Sequence, residues 1–263
     1  MHRSLICFIL TAGVLLVTSC YLPTDPGPQP SSITETEFRP GMSVLGILRL
    51  DGATGSSFIH LTRTFQTEET GDDFTLTVSN ADVRVIGTNP DFLYHFSYIE
   101  DELRDGIYSN AGFVPVAGRT YHLEASSPEF PTVRGSTVVP EPPAIETGSL
   151  TITESRIAFT LTDPGIRTLL DVHLISQDTR IEKRISLHSG NQFITLTIPE
   201  NANPPESLSL YLYDRNLADY LSSAITIKPQ AYQEPAATVT GGYGCFGAVS
   251  VTTLELTADS PPE

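Results

Sequence analysis

Short runs in which apolar and polar residues alternate, each cut off by Gly, Pro, Asn or Asp, fill most of this chain. Residues 43–50 set Val44, Gly46, Leu48 and Leu50 against Leu45, Ile47 and Arg49; after the turn-rich Asp51-Gly52-Ala53-Thr54-Gly55, residues 58–65 run at the same period. A period of two sends successive side chains to opposite faces, as a strand does and a helix does not. Runs of the same kind, rich in Val, Ile, Leu, Tyr, Phe and Thr, recur at 74–78, 82–86, 92–99, 107–108, 120–125 and 132–139, and again at 149–153, 157–162, 169–176, 180–187, 193–198, 208–213 and 249–256. Many short strands with turn chemistry between them predict an all-β chain built as β-sandwiches.

Pro140-Glu141-Pro142-Pro143 breaks the series. Three of its four residues lack an N–H and cannot continue a ladder. The reading is therefore two sandwich domains, 39–140 and 144–256, followed by a frayed tail at 257–263. One short helix is expected in the second domain, where Asp214 offers an N-cap before Leu217, Ala218, Tyr220 and Leu221 at helical spacing.

Within the first domain, Asn80 to Val85, Asp105-Gly106-Ile107-Tyr108 and Ala117-Gly118-Arg119-Thr120-Tyr121-His122-Leu123-Glu124-Ala125 resemble the prealbumin-like, carboxypeptidase-regulatory-like sandwich, whose modules are structural or binding elements, and both domains are expected as immunoglobulin/prealbumin-like sandwiches. Gly106 and Gly118 are expected at positive φ, and Tyr121, Leu123 and Ala125 on one face.

Ahead of the strands, an apolar run from Leu5 follows a single basic residue, Arg3, and closes on Val17-Thr18-Ser19-Cys20. It is too short for a membrane span and has the parts of a secretory leader, residues 1–19. Its end resembles a bacterial lipobox, in which the cysteine, here Cys20, receives a diacylglyceryl thioether and an N-acyl chain. At about 0.8 kcal/mol per buried methylene, two or more chains hold a protein on a membrane where one does not. Tyr21 stands where an Asp would favour retention at the inner membrane, so the outer membrane is expected, with the periplasmic and surface faces both open. Residues 20–38, rich in Pro and Ser, read as a semi-extended tether.

The net charge is −16, which excludes nucleic acid as the natural partner because no positive field exists to displace counterions. Of three cysteines, Cys7 leaves with the leader and Cys20 is acylated, so Cys245 has no partner for a disulfide and is expected as a small buried hydrophobe rather than a nucleophile. Gly242, Gly244 and Gly247 spell a dinucleotide fingerprint, but residues at period two follow instead of a helix, so a tight backbone turn is expected there. His60, His95, His122, His173 and His188 are scattered singly and suit partly buried structural positions, with no zinc spacing. Glu100-Asp101-Glu102 and Asp105 read as a solvated acidic loop. No catalytic, cofactor-binding or metal-ligating set is assigned.

Taken together, the lipobox, residues 44–50, His60-Leu61-Thr62-Arg63-Thr64, Ala81-Asp82-Val83-Arg84-Val85, Gly118-Arg119-Thr120-Tyr121-His122-Leu123 and Gly241-Gly242-Tyr243-Gly244-Cys245-Phe246-Gly247-Ala248 resemble domain-of-unknown-function family 4249, DUF4249, over nearly the whole mature chain. The resemblance implies a Bacteroidetes-type cell-envelope lipoprotein found beside a TonB-dependent outer-membrane receptor, with no activity to carry over. The expected function is a non-catalytic accessory or interaction module on the outer membrane; the alternative is a glycan- or small-molecule-binding lipoprotein for nutrient uptake.

Overall fold

The structure, a computed structural model, describes residues 39–66, 69, 75–88, 92–100, 105–177, 179–200, 202–225 and 237–256. The leader 1–19, the tether 20–38 with Cys20, the tail 257–263, Phe74, Asp101 and Glu102 lie outside the described residues. Among the described residues no helix is long and apolar enough to cross a membrane.

The first half contains β1 (Met42–Leu50), β2 (Phe58–Arg63), β3 (Asp82–Gly87), β4 (Leu93–Tyr98), β5 (Ile107–Ser109), β6 (Thr120–Ser127) and β7 (Phe130–Val138). The second contains β8 (Thr151–Thr153), β9 (Arg156–Leu161), β10 (Thr168–Ile175), β11 (Arg180–Leu187), β12 (Gln192–Thr197), β13 (Ser207–Tyr213), helix α1 (Arg215–Ile225), β14 (Val239–Thr240) and β15 (Tyr243–Glu255). Each alternating run read from the sequence falls on a strand except 74–78, where Thr77 makes an isolated bridge to Thr62. The chain is all-β, with one helix among the described residues and its sheets packed as sandwiches.

A long sheet runs in the order β11-β10-β13-β15-β1-β2-β5-β4-β3-β6-β7-β14, and a three-stranded sheet runs β12-β9-β8. Alternation decides which side chains each strand buries. Met42, Val44 and Leu48 of β1, Tyr121, Leu123 and Ala125 of β6, and Phe246 and Ala248 of β15 enter a first core with Phe113, which meets Tyr94, Phe96 and Tyr121 edge-on at 4.7, 5.3 and 5.6 Å. A second core gathers Ile157, Phe159 and Leu161 of β9, Leu170, Val172 and Leu174 of β10, Ile194 and Leu196 of β12, and Leu208, Leu210 and Leu212 of β13. Gly106 and Gly118 have φ of 79° and 71°, as their place at strand openings requires.

The last strand differs from its sequence reading. It begins at Tyr243, well before residue 249, and the glycine-rich stretch read as a turn is strand through most of its length. The reason is its neighbour: β15 lies parallel to β1, Val44 opposite Gly244 and Leu50 opposite Ser250. Gly244 has φ of 99°, and a Cβ there would stand 2.1 Å from the Val44 carbonyl oxygen, so only glycine fits.

β15 also joins the two halves. Phe246 and Ala248 face the first core, whereas Leu254 and Leu256, of the same parity, pack on the second. Between them Ser250 donates to the Pro140 carbonyl at 2.5 Å and Thr252 to the Pro143 carbonyl at 2.8 Å, which pins the proline linker across the strand. β15, which lies within the 144–256 half, therefore serves both cores.

Candidate functional site

The junction between the halves is organised by Asp214, the residue before α1. Its Oδ1 accepts hydrogen bonds from the Leu217 N–H at 3.0 Å and the Ala248 N–H at 2.9 Å, and its Oδ2 accepts from the Thr137 hydroxyl at 2.6 Å. This is the N-cap expected from the sequence, and it also ties α1 to β15 and β7. Burial pushes the Asp214 carboxyl above its ordinary range, against the pull of those donors. Asn216 adds a second tie, donating to the Ser136 and Phe246 carbonyls at 2.6 and 3.0 Å. The helix can sit this close because Gly247 faces it: a Cβ there would meet the Leu217 Cβ at 2.8 Å.

Beside this knot lies a cleft of about 880 Å³ between β7, the proline linker, the start of β10 and the first turns of α1. Val138 and Ile166, 50 % and 39 % exposed, give it apolar surface, while Arg167, Arg215, Glu141 and Asp219 supply charge of both signs. Its volume is in the range of ligand sites, which favour junctions of this kind. The Asp214 carboxyl that lines it is engaged by the fold.

A second polar cluster occupies the outer face of the long sheet. Arg184 grips Asp171 through two bonds, Nε to Oδ1 at 2.8 Å and an NH2 group to Oδ2 at 2.7 Å, and the Tyr213 hydroxyl donates to Oδ2 at 2.8 Å. Burial alone would raise the Asp171 carboxyl; the Arg184 and Tyr213 bonds outweigh it and hold the group below its ordinary 3.8. Burial and then the Asp171 bond push the Tyr213 hydroxyl well above its usual range. One row further on, His173 and Tyr211 lie ring to ring at 4.5 Å, Arg180 contacts His173 Nδ1 at 3.0 Å, and the Arg49 guanidinium stands 5.6 Å above Tyr211. These contacts brace a half-buried sheet face through bidentate and ring-face geometry.

The residues nominated from the sequence do not converge. Cys245 is fully buried beneath α1, its sulfur 3.7 Å from the Asn216 carbonyl, and burial pushes its thiol up to about 11, far from a reactive thiolate. The expectation of partly buried histidines holds for His60 and His173 and fails for His95, His122 and His188, which are exposed because they occupy the outward positions of their strands and turn. Asp105 takes hydrogen bonds from the Thr77 and Tyr98 hydroxyls, so part of the acidic loop serves the fold. Among the described residues no group of three or more His, Cys, Asp and Glu side chains is placed to hold a metal ion. The Asp171–Arg184 pair was missed because its signal appears only once β10 and β11 are aligned antiparallel, Asp171 opposite Arg184.

A family model described as "Domain of unknown function (DUF4249)" matches residues 28–255. The chain belongs to this family. The DUF4249 match spans both sandwiches and the strand they share, and begins ahead of the first described strand. No curated protein matches this DUF4249 chain. Among solved structures it is similar to the chicken interferon gamma receptor alpha chain, at 8 % identity over 67 % of this chain and 88 % of that one with a TM-score of 0.22. It is also similar to a two-domain fibronectin type III segment of chicken tenascin, at 11 % identity over 82 % of this chain and 99 % of that one with a TM-score of 0.25.

Proposed function

We propose that this DUF4249 protein is a lipoprotein anchored through Cys20 to the outer membrane, acting as a non-catalytic interaction module beside a TonB-dependent receptor. The leader and the Val17-Thr18-Ser19-Cys20 junction support the anchor. The observation that carries the interaction reading is how the perturbed groups are used. The Asp214 carboxyl and Cys245 thiol hold or fill the contact between α1 and β15, and Asp171 is spent on Arg184 and Tyr213. What is left facing outward is shape: a cleft with exposed Val138 and Ile166, on two sandwiches that share a strand. A surface of mixed polarity on a stiff scaffold suits a partner recognised by contact.

Membrane fractionation of a Cys20→Ala variant tests the anchor. The wild-type chain is expected in the detergent-soluble outer-membrane fraction and the variant in the soluble fraction; a variant that stays wholly in the membrane removes the anchoring claim.

A further inference from the structure

We propose that β15 is the latch on which both sandwiches close, so that the first sandwich cannot complete its fold until β15 is in place. Without β15 the first core lacks Phe246 and Ala248, and Val239 of the adjoining β14 belongs to the same core. Phe246 is clamped between glycines of two other strands. A Cβ on Gly46 of β1 would stand 2.8 Å from its ring, and a Cβ on Gly135 of β7 would stand 2.9 Å from its Cβ. The ring therefore fills space that those two strands leave empty for it.

The second sandwich depends on the same segment. β13 pairs with β15 from Ser207 opposite Glu255 to Tyr213 opposite Val249, and Leu254 and Leu256 pack on the second core. The linker hangs on Ser250 and Thr252, and α1 is seated on Gly247 and fastened to Ala248 through Asp214. β1, the linker, β13 and the helix thus meet on β15. The contacts are also among the least local of this chain, Val44 against Gly244, and their closure entropy is met only when β15 is present. On the export reading above, a chain still crossing a membrane would be held open while its Cys20 end is already available for acylation.

Native-state hydrogen exchange on the full-length chain in rising urea tests the latch, read at the amides of β3 and β6 for the first sandwich and of β10 and β13 for the second. In the wild-type chain both sets should share one opening reaction. Phe246→Ala, which removes a buried aromatic ring from the first core, should speed exchange about a hundredfold or more in both sets alike. Phe246→Leu gives the same comparison at about tenfold if the alanine variant leaves no folded protein. Acceleration confined to β3 and β6, with β10 and β13 at wild-type rates, overturns the proposal. Pulse labelling during refolding adds the order: β3 and β6 should gain protection in the same phase as β15, and protection in an earlier phase also overturns it. Neither readout involves Cys20 or a membrane, so failure here is distinguishable from failure of the anchor.

Discussion

Asp214 shows how one residue settles local structure and long-range packing together. It caps α1, accepts from the Ala248 N–H and receives the Thr137 hydroxyl, all while 5 % exposed. Asp214→Ala removes the cap and strands two donors in an apolar setting. The expected cost is about 3 kcal/mol, combining a lost cap of about 1 kcal/mol with unsatisfied buried groups at about 1–3 kcal/mol. Urea unfolding should show the midpoint fall with an unchanged slope. Asp171 contributes to acid stability. Its carboxyl is held below 3.8 in the folded chain, so its contribution is present above that pH and is lost as pH falls through the lower folded value. His173 acts in the same sense at higher pH: burial, then Arg180, lower it from 6.5, so stability declines as pH falls below 6.5. Asp171→Asn should flatten the decline below about pH 4 in a stability–pH profile and leave the decline below pH 6.5 in place.

Among the elements, β15 is where sequence and structure part company. Alternation marked nearly all the strands, because a period of two reports which face is buried; it does not report which strand lies alongside. Nothing in Val44, Leu48 or Gly244 taken singly says that the chain's last strand runs parallel to its first. The glycines from Gly241 to Gly247 obscured the strand further, since residues without side chains carry no alternation. Those glycines reflect close approach: at Gly244 the β1 backbone occupies the space a side chain would need. Gly244→Ala is therefore expected to destabilise by about 3 kcal/mol or more, from a left-handed backbone and a clash together, with the loss of β1 amide protection as its direct readout. The helix was legible down to its cap because Asp214 and the Leu217, Ala218, Leu221 spacing are local signals. The Asp171–Arg184 pair was not, because it depends on strand pairing.

At the scale of the molecule, two cores share one strand and one pinned linker, and the full chain carries a formal net charge of −16. The proposed setting is the outer membrane, through Cys20, with a receptor as company. Crosslinking of native membranes followed by mass spectrometry tests this most directly. A carboxyl-directed crosslinker suits a chain with 31 acidic residues. The expected result is a reproducible conjugate between an acylated chain beginning at Cys20 and an outer-membrane receptor. A chain recovered soluble, with an unmodified Cys20 thiol and no envelope partner, would contradict it.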